Sequence, residues 1–171
     1  DGKGVLFLPG EESLPEAFDV PSVLEQPVDC EKELAVIVTR NTKGEMRAFP
    51  PVEMAFHPEQ NLVEYLFSPA DIKDEQANEA IRIAKDVADK LEMVGNLAVE
   101  LFLAKTGAIL VNEVAPRPHN SGHHTIEAND TSQYEQHLRS ILGLPLGNTG
   151  ILAPAAMVNV LGEPDYWGKP Y

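Results

Sequence analysis

Asn112-Glu113-Val114-Ala115-Pro116-Arg117-Pro118-His119-Asn120-Ser121-Gly122-His123 groups a carboxylate, a guanidinium, two imidazoles, amides and a hydroxyl in one short segment. These groups can hold a cation, bind an anion and move a proton. Two prolines restrict the backbone, so the segment reads as a rigid loop rather than a core element. The apolar run Ala108-Ile109-Leu110-Val111 leads into it. The polar cluster therefore follows a buried strand, where α/β proteins place their chemistry.

A second acid joins Glu113 through strand pairing. If Thr106 and Gly107 form a two-residue turn, Glu100 and Glu113 come directly opposite each other. Their Cβ atoms would lie about 4.5–5.5 Å apart on one face, an unfavourable like-charge pair unless it is neutralised. A shared proton, a basic side chain or a divalent cation would each do so. Hard oxygen donors favour Mg²⁺ or Mn²⁺ over zinc, and Mg²⁺ is commonly held by one or two carboxylates plus substrate phosphates. A register slip leaving both acids solvated is the alternative. Arg117, held between prolines, suits a guanidinium fork on phosphate or carboxylate, or a salt bridge to the acid pair. His119, His123 and His124 match no standard zinc spacing, which favours hydrogen-bonding roles toward an anionic substrate. Gly2, Lys3 and Gly4 fit either the tip of a phosphate-cradling loop or an ordinary surface turn. Glu25-Gln26-Pro27-Val28, with Glu33 beyond, fits a hinge that hydrogen-bonds a nucleotide, and His57 reads as a loop histidine.

Several elements must position these groups. Leu34 to Thr39 is apolar on both faces and reads as a central buried strand. Thr42 to Glu45 gives a turn and Met46 to Phe49 a return strand. Pro50, Pro51 and Pro58 bracket a segment that reads as irregular, with another strand from Leu62 to Phe67. Residues 71–92 form the clearest helix, with Ala77, Ala80, Ile81, Ala84, Val87, Ala88 and Leu91 on one stripe and Gly95 as its stop. Leu97 to Ala104 and Ala108 to Glu113 are strands. A second helix starts at Ser132 in an S-x-x-E capping box, with Tyr134, Leu138, Ile141 and Leu142 as its apolar stripe and Gly143 as its end. From Asn148 the Pro and Gly residues mark a junction, and Ala155 to Leu161 reads as a strand opening a further subdomain.

A net charge of -14 over 171 residues excludes a nucleic-acid or anionic-membrane surface and fits a cytoplasmic protein. The single Cys30 excludes an internal disulfide framework. No apolar run approaches the roughly 20 residues that span a membrane. Asp1 at the start and Trp167-Gly168-Lys169-Pro170-Tyr171 at the end give the expectation of a piece of a longer chain.

Taken in order, Asp1-Gly2-Lys3-Gly4, Glu25-Gln26, Glu33, Asn112-Glu113, Ala115 to His123, Ser132 to Glu135 and Gly143-Leu144-Pro145-Leu146-Gly147 resemble the ATP-grasp enzymes. Within them, the resemblance is to the 5-(carboxyamino)imidazole ribonucleotide synthetase family of purine biosynthesis, and it covers nearly the whole chain. It implies an α+β ATP-grasp fold, mostly antiparallel sheet flanked by helices. Residues 1–27 would end the small lid subdomain, 28–147 would form the large subdomain, and 148–171 would start a C-terminal one. The implied reaction is ATP-dependent carboxylation of aminoimidazole ribonucleotide by bicarbonate through carboxyphosphate, in a cytoplasmic homodimer. Glu25 and Val28 would meet adenine, partly through backbone atoms, with Gln26 beside them. Glu33 would meet ribose, and His57 lines up with a nucleotide contact. Glu100 and Glu113 would hold Mg²⁺ (or Mn²⁺), with Asn112 in the same site, and Arg117, His119 and Asn120 would face the transferred group or the ribonucleotide. Ala115 stands where many ATP-grasp members have a metal-binding asparagine, which this family tolerates, and Val5 replaces a usual glutamine. The resemblance also implies that an upstream domain completes the site, so the piece alone would show little turnover. A related ATP-grasp formyltransferase or biotin-carboxylase-like enzyme, or a non-catalytic binding module, are the competing readings.

Overall fold

The computed structural model describes residues 4–56 and 63–160. One sheet organises them, with strands β1 (Cys30–Arg40), β2 (Met46–Ala48), β3 (Val52–Phe56), β4 (Val63–Ser68), β5 (Gly95–Ala104), β6 (Ile109–Ala115) and β7 (Ala155–Val158). The order is β6-β5-β1-β3-β4-β7, with β2 also on β1. Every pairing is antiparallel. Helices α1 (Asp74–Lys90), α2 (Thr125–Ala128) and α3 (Gln133–Ile141), with short 3₁₀ turns at Glu11–Glu16 and Asn120–Gly122, complete the set.

The apolar run of β1 makes it central. It pairs with β5 along nearly its whole length, while β3 and β2 share its other edge. Residues 34–39 are all buried. One face of the sheet packs on α1: Leu34, Val36 and Val38 with Leu97, Val99, Leu101 and Leu103 meet Ala80, Ala84 and Ala88. The three alanines are at most 1 % exposed. Their small side chains let the helix lie close to the sheet. Ala84→Leu should therefore overpack this layer and cost about 1–3 kcal/mol, read as a lower urea midpoint with an unchanged slope.

Several expectations need correction. The proline-bracketed segment contains strand β3, because Pro50 and Pro51 precede it and leave its own amide groups free to pair with β1 and β4. Helix α1 ends at Lys90 rather than at Gly95. Glu92 takes the left-handed position (φ 50), with Met93 N–H bonding to Ala88 O and Glu92 N–H to Asp89 O. Gly95 instead opens β5 at φ 110, where a Cβ would come within 2.9 Å of His137 Cε1. The strand after the junction, β7, stops at Val158 among the described residues and pairs with β4 in this same sheet.

Helix α3 departs furthest. Ser132 caps it, accepting from Glu135 N–H at 3.2 Å, while the Glu135 carboxylate pairs with Arg139 at 2.7 Å. Gly143 (φ 69) ends it, with Leu144 N–H on Arg139 O. Its apolar stripe is exposed: Tyr134, Leu138, Ile141 and Leu142 face outward, and Gln133, Gln136 and Ser140 are completely buried.

Candidate functional site

The second face of the sheet carries the acids. Pairing of Ala35 with Glu100 and of Glu33 with Phe102 sets Glu33 and Glu100 on the side opposite α1. At one end of this face, Ile37, Thr39, Asn96 and Ala98 lie under the loop 116–124 and α3, as shown by Thr39 Oγ1 to Asn96 Oδ1 at 2.7 Å and Asn96 Nδ2 to Gln133 O at 2.8 Å. The other end holds the carboxylates.

Glu113 does stand opposite Glu100, but by another route than a two-residue turn. The loop is Lys105-Thr106-Gly107, with Gly107 N–H on Ala104 O (2.7 Å), Ala104 N–H on Ala108 O (2.9 Å) and Gly107 at φ 87. That loop pairs Leu103 with Ile109 and Leu101 with Val111. Continued regularly, it would set Asn112 opposite Glu100 and turn Glu113 toward the α1 side. A β-bulge between Glu100 and Leu101 takes up Asn112 as an extra residue and restores Glu113 to the acid face. Two one-residue departures cancel.

Burial and like charge act together on Glu100, while Glu113 is exposed. The Glu100 side chain is 12 % exposed. Desolvation first, then the charges of Glu113 and Glu33, push its pKa up to about 7, and Arg117 opposes this. Glu33 is also raised, by burial. Arg117 makes no ion pair among the described residues. It is exposed, and its Nη1 donates to Pro118 O at 3.2 Å.

His119 lies over the pair, its Nε2 3.5 Å from Glu100 Oε1. This is a neutral contact rather than an ion pair. Burial, then Arg117, lowers the His119 pKa, and its Nδ1 accepts from Ser121 N–H at 3.3 Å. The proton therefore sits on Nε2, facing the carboxyl group. Burial pushes His124 down to about 4. The described residues hold no group of three or more His, Cys, Asp and Glu able to enclose an ion. Two carboxylates leave most of a cation's coordination to other oxygens, the arrangement Mg²⁺ commonly takes with substrate phosphates and water.

Of the other expected residues, Asn112 sits exposed at the bulge and Asn120 half-buried in the turn Asn120–Gly122. Glu25 and Gln26 are exposed and Val28 half-buried in the stretch before β1, beyond the end that carries Glu33. Gly4 is exposed, while Gly2, Lys3 and His57 lie outside the described residues. A hollow of about 510 Å³ lined by Glu31, Lys32, Ile72, Gln76 and Lys105 opens on the α1 side, away from the acids.

The packing roles of Gln133 and Gly122 emerge only in three dimensions. Gln133 Oε1 accepts from His119 N–H (2.9 Å) and its Nε2 donates to His119 O (2.7 Å). Gln136 holds Gly147 in the same way, at 2.8 and 2.9 Å. These two clamps explain the inverted helix: α3 turns its amides inward because they hold two loops. The spacing of two glutamines on the polar stripe was the available signal.

Residues 1–134, which carry the opposed acids and the basic loop above them, match the ATP-grasp domain. The chain belongs to the ATP-grasp family. It is 43 % identical over 167 residues to N5-carboxyaminoimidazole ribonucleotide synthase of Bacillus subtilis, covering 95 % of this chain and 43 % of that protein. The crystal structure of N5-carboxyaminoimidazole ribonucleotide synthetase from Thermotoga maritima superposes with a TM-score of 0.87 at 49 % identity, over 96 % of this chain and 44 % of that one. The Aspergillus clavatus enzyme, solved with ADP and 5-aminoimidazole ribonucleotide, is 33 % identical with a TM-score of 0.75, over 80 % and 37 %. The chain thus spans less than half the length of these relatives. No described helix is long and apolar enough to cross a membrane.

Proposed function

We propose that this chain is part of an ATP-dependent ligase that carboxylates aminoimidazole ribonucleotide with bicarbonate in purine biosynthesis. The opposed Glu100 and Glu113 beneath His119 carry the reading, with support from the named relatives. The acid pair fits Mg²⁺, because the buried Glu100 and the exposed Glu113 oppose each other without a cationic ion-pair partner among the described residues. When bound, Mg²⁺ (or Mn²⁺) would neutralise the β/γ-phosphate oxygens. Glu100 and Glu113 hold the cation and Asn112 lies beside them. Gly2, Lys3 and Gly4 cradle phosphate. Glu25, Gln26, Val28 and His57 contact the nucleotide, and Glu33 its ribose. Arg117, His119 and Asn120 face the transferred carboxyl group or the ribonucleotide: the guanidinium supplies a fixed positive charge, and His119 a neutral N–H donor.

Residues 1–27 end a lid subdomain, 28–147 form the large subdomain and 148–171 begin a C-terminal one whose β7 joins the common sheet. The whole protein acts as a cytoplasmic homodimer. In the full-length protein, ADP release should depend on both aminoimidazole ribonucleotide and bicarbonate. Stimulation by glycinamide ribonucleotide or biotin instead would overturn the assignment.

A further inference from the structure

Gln133 is completely buried. Its Oε1 meets the backbone N–H of His119, which can only donate, so the amide orientation is settled. Nε2 then donates one hydrogen to His119 O, and its other hydrogen meets His123 Nδ1 at 3.1 Å. A ring nitrogen facing a donor presents its lone pair, which favours the His123 tautomer with its proton on Nε2. The Tyr134 hydroxyl lies 2.7 Å from the same Nδ1, and its ring stacks on the imidazole at 5.9 Å between centroids. His119 reaches the same tautomer through Ser121 N–H.

We propose that Gln133 is a positioning residue, which clamps the His119 backbone and locks His123 in the neutral Nε2–H tautomer so that the loop keeps an imidazole N–H donor for an oxyanion. This rests on the reading that the loop faces the transferred carboxyl group. The clamp is itself anchored in the sheet. Gln133 N–H donates to Thr125 Oγ1 at 2.8 Å, and its carbonyl accepts from Asn96 Nδ2 at 2.8 Å. Asn96 Oδ1 in turn accepts from Thr39 Oγ1 at 2.7 Å, and all four residues are completely buried. Thr39 and Asn96 face each other across β1 and β5, the strands that carry Glu33 and Glu100. The imidazoles and the carboxylates are thus referenced to one rigid pair of strands, as preorganisation requires. An imidazolium at His123 would set N–H against the Gln133 N–H.

The test uses full-length protein with ¹⁵N-labelled histidine and the variant Gln133→Glu, which turns the donor into an acceptor. In the native protein the His123 signals should show a bare Nδ1 and a protonated Nε2. In Gln133→Glu, Nδ1 should become protonated. Carboxylation kcat should fall about tenfold or more while the KM for MgATP stays within about twofold, since one neutral donor is lost and nucleotide contacts are not. A native His123 protonated on Nδ1 would overturn the proposal, and so would a variant whose tautomer changes with kcat intact. Should the variant fail to fold, the native spectrum decides. If the tautomer is as stated but another acceptor is carboxylated, the substrate assignment fails and the positioning role stands.

Discussion

Glu100→Gln is expected to abolish MgATP-dependent turnover in the full-length protein and, at the same time, to stabilise it. The loss should reach roughly 10²–10³-fold or more in kcat, because one of the two carboxylates proposed to neutralise the phosphate charge is gone. The gain follows from what the unliganded fold imposes on Glu100. Its pKa rises from 4.5 to about 7, so the native state binds a proton that the unfolded chain has released. Stability of the metal-free protein therefore falls as pH rises across that window. At pH 8 the ionised, buried carboxylate costs roughly 3 kcal/mol, which the neutral amide avoids. Urea unfolding with chelator present should show the variant ahead by about that amount at pH 8, and by less than about 1 kcal/mol at pH 5. Equal stability at both pH values would show that the acids are not strained by the fold. Undiminished turnover would remove Glu100 from the reaction.

Gly122→Ala should have the second-largest effect. A Cβ there would lie 2.6 Å from Gln133 Oε1, 2.7 Å from its Cδ and 2.7 Å from Ile37 Cδ1. Ile37 is held in the central strand, and Gln133 is tied by its own hydrogen bonds, so neither can give way cheaply. Overpacking should cost about 1–3 kcal/mol. The relaxation that is open is a shift of the loop itself, which would move His119 relative to Glu100, and a displacement near 1 Å can cost about 10²-fold in rate. Ala84→Leu, on the far side of the sheet, is the matched control: it should lose similar stability with little change in kcat. Equal losses of turnover in the two variants would show that the Gly122 effect is global destabilisation.

Much of the scaffold was legible because local pattern and tertiary environment agree. The apolar run 34–39 is the central strand, and Ala80, Ala84 and Ala88 are the buried stripe of α1. Ser132 and Gly143 bound α3 where capping chemistry places them. Elsewhere, local rules were overruled by partners distant in sequence. Proline density hid β3, whose pairing begins just after the ring-bearing residues. Glycine preference misplaced the end of α1, because Gly95 is required by His137 and Glu92 tolerates the turn. Apolar periodicity inverted α3, because its glutamines meet backbone groups of two loops that no window of local sequence contains.

The sequence by itself determined the inventory: an ATP-grasp pattern, two acids on adjoining strands, and a proline-stiffened loop bearing an arginine and histidines. Only the tertiary structure decided how they meet. Residue types and spacing report chemistry and period, but strand register depends on loop geometry and on whether the ladder slips. A three-residue loop and a bulge at Asn112 each shift the pairing by one, and only their cancellation turns Glu113 toward Glu100. The histidine loop, in turn, takes its place from buried amides on α3, whose contacts exist only once helix, loop and sheet have come together.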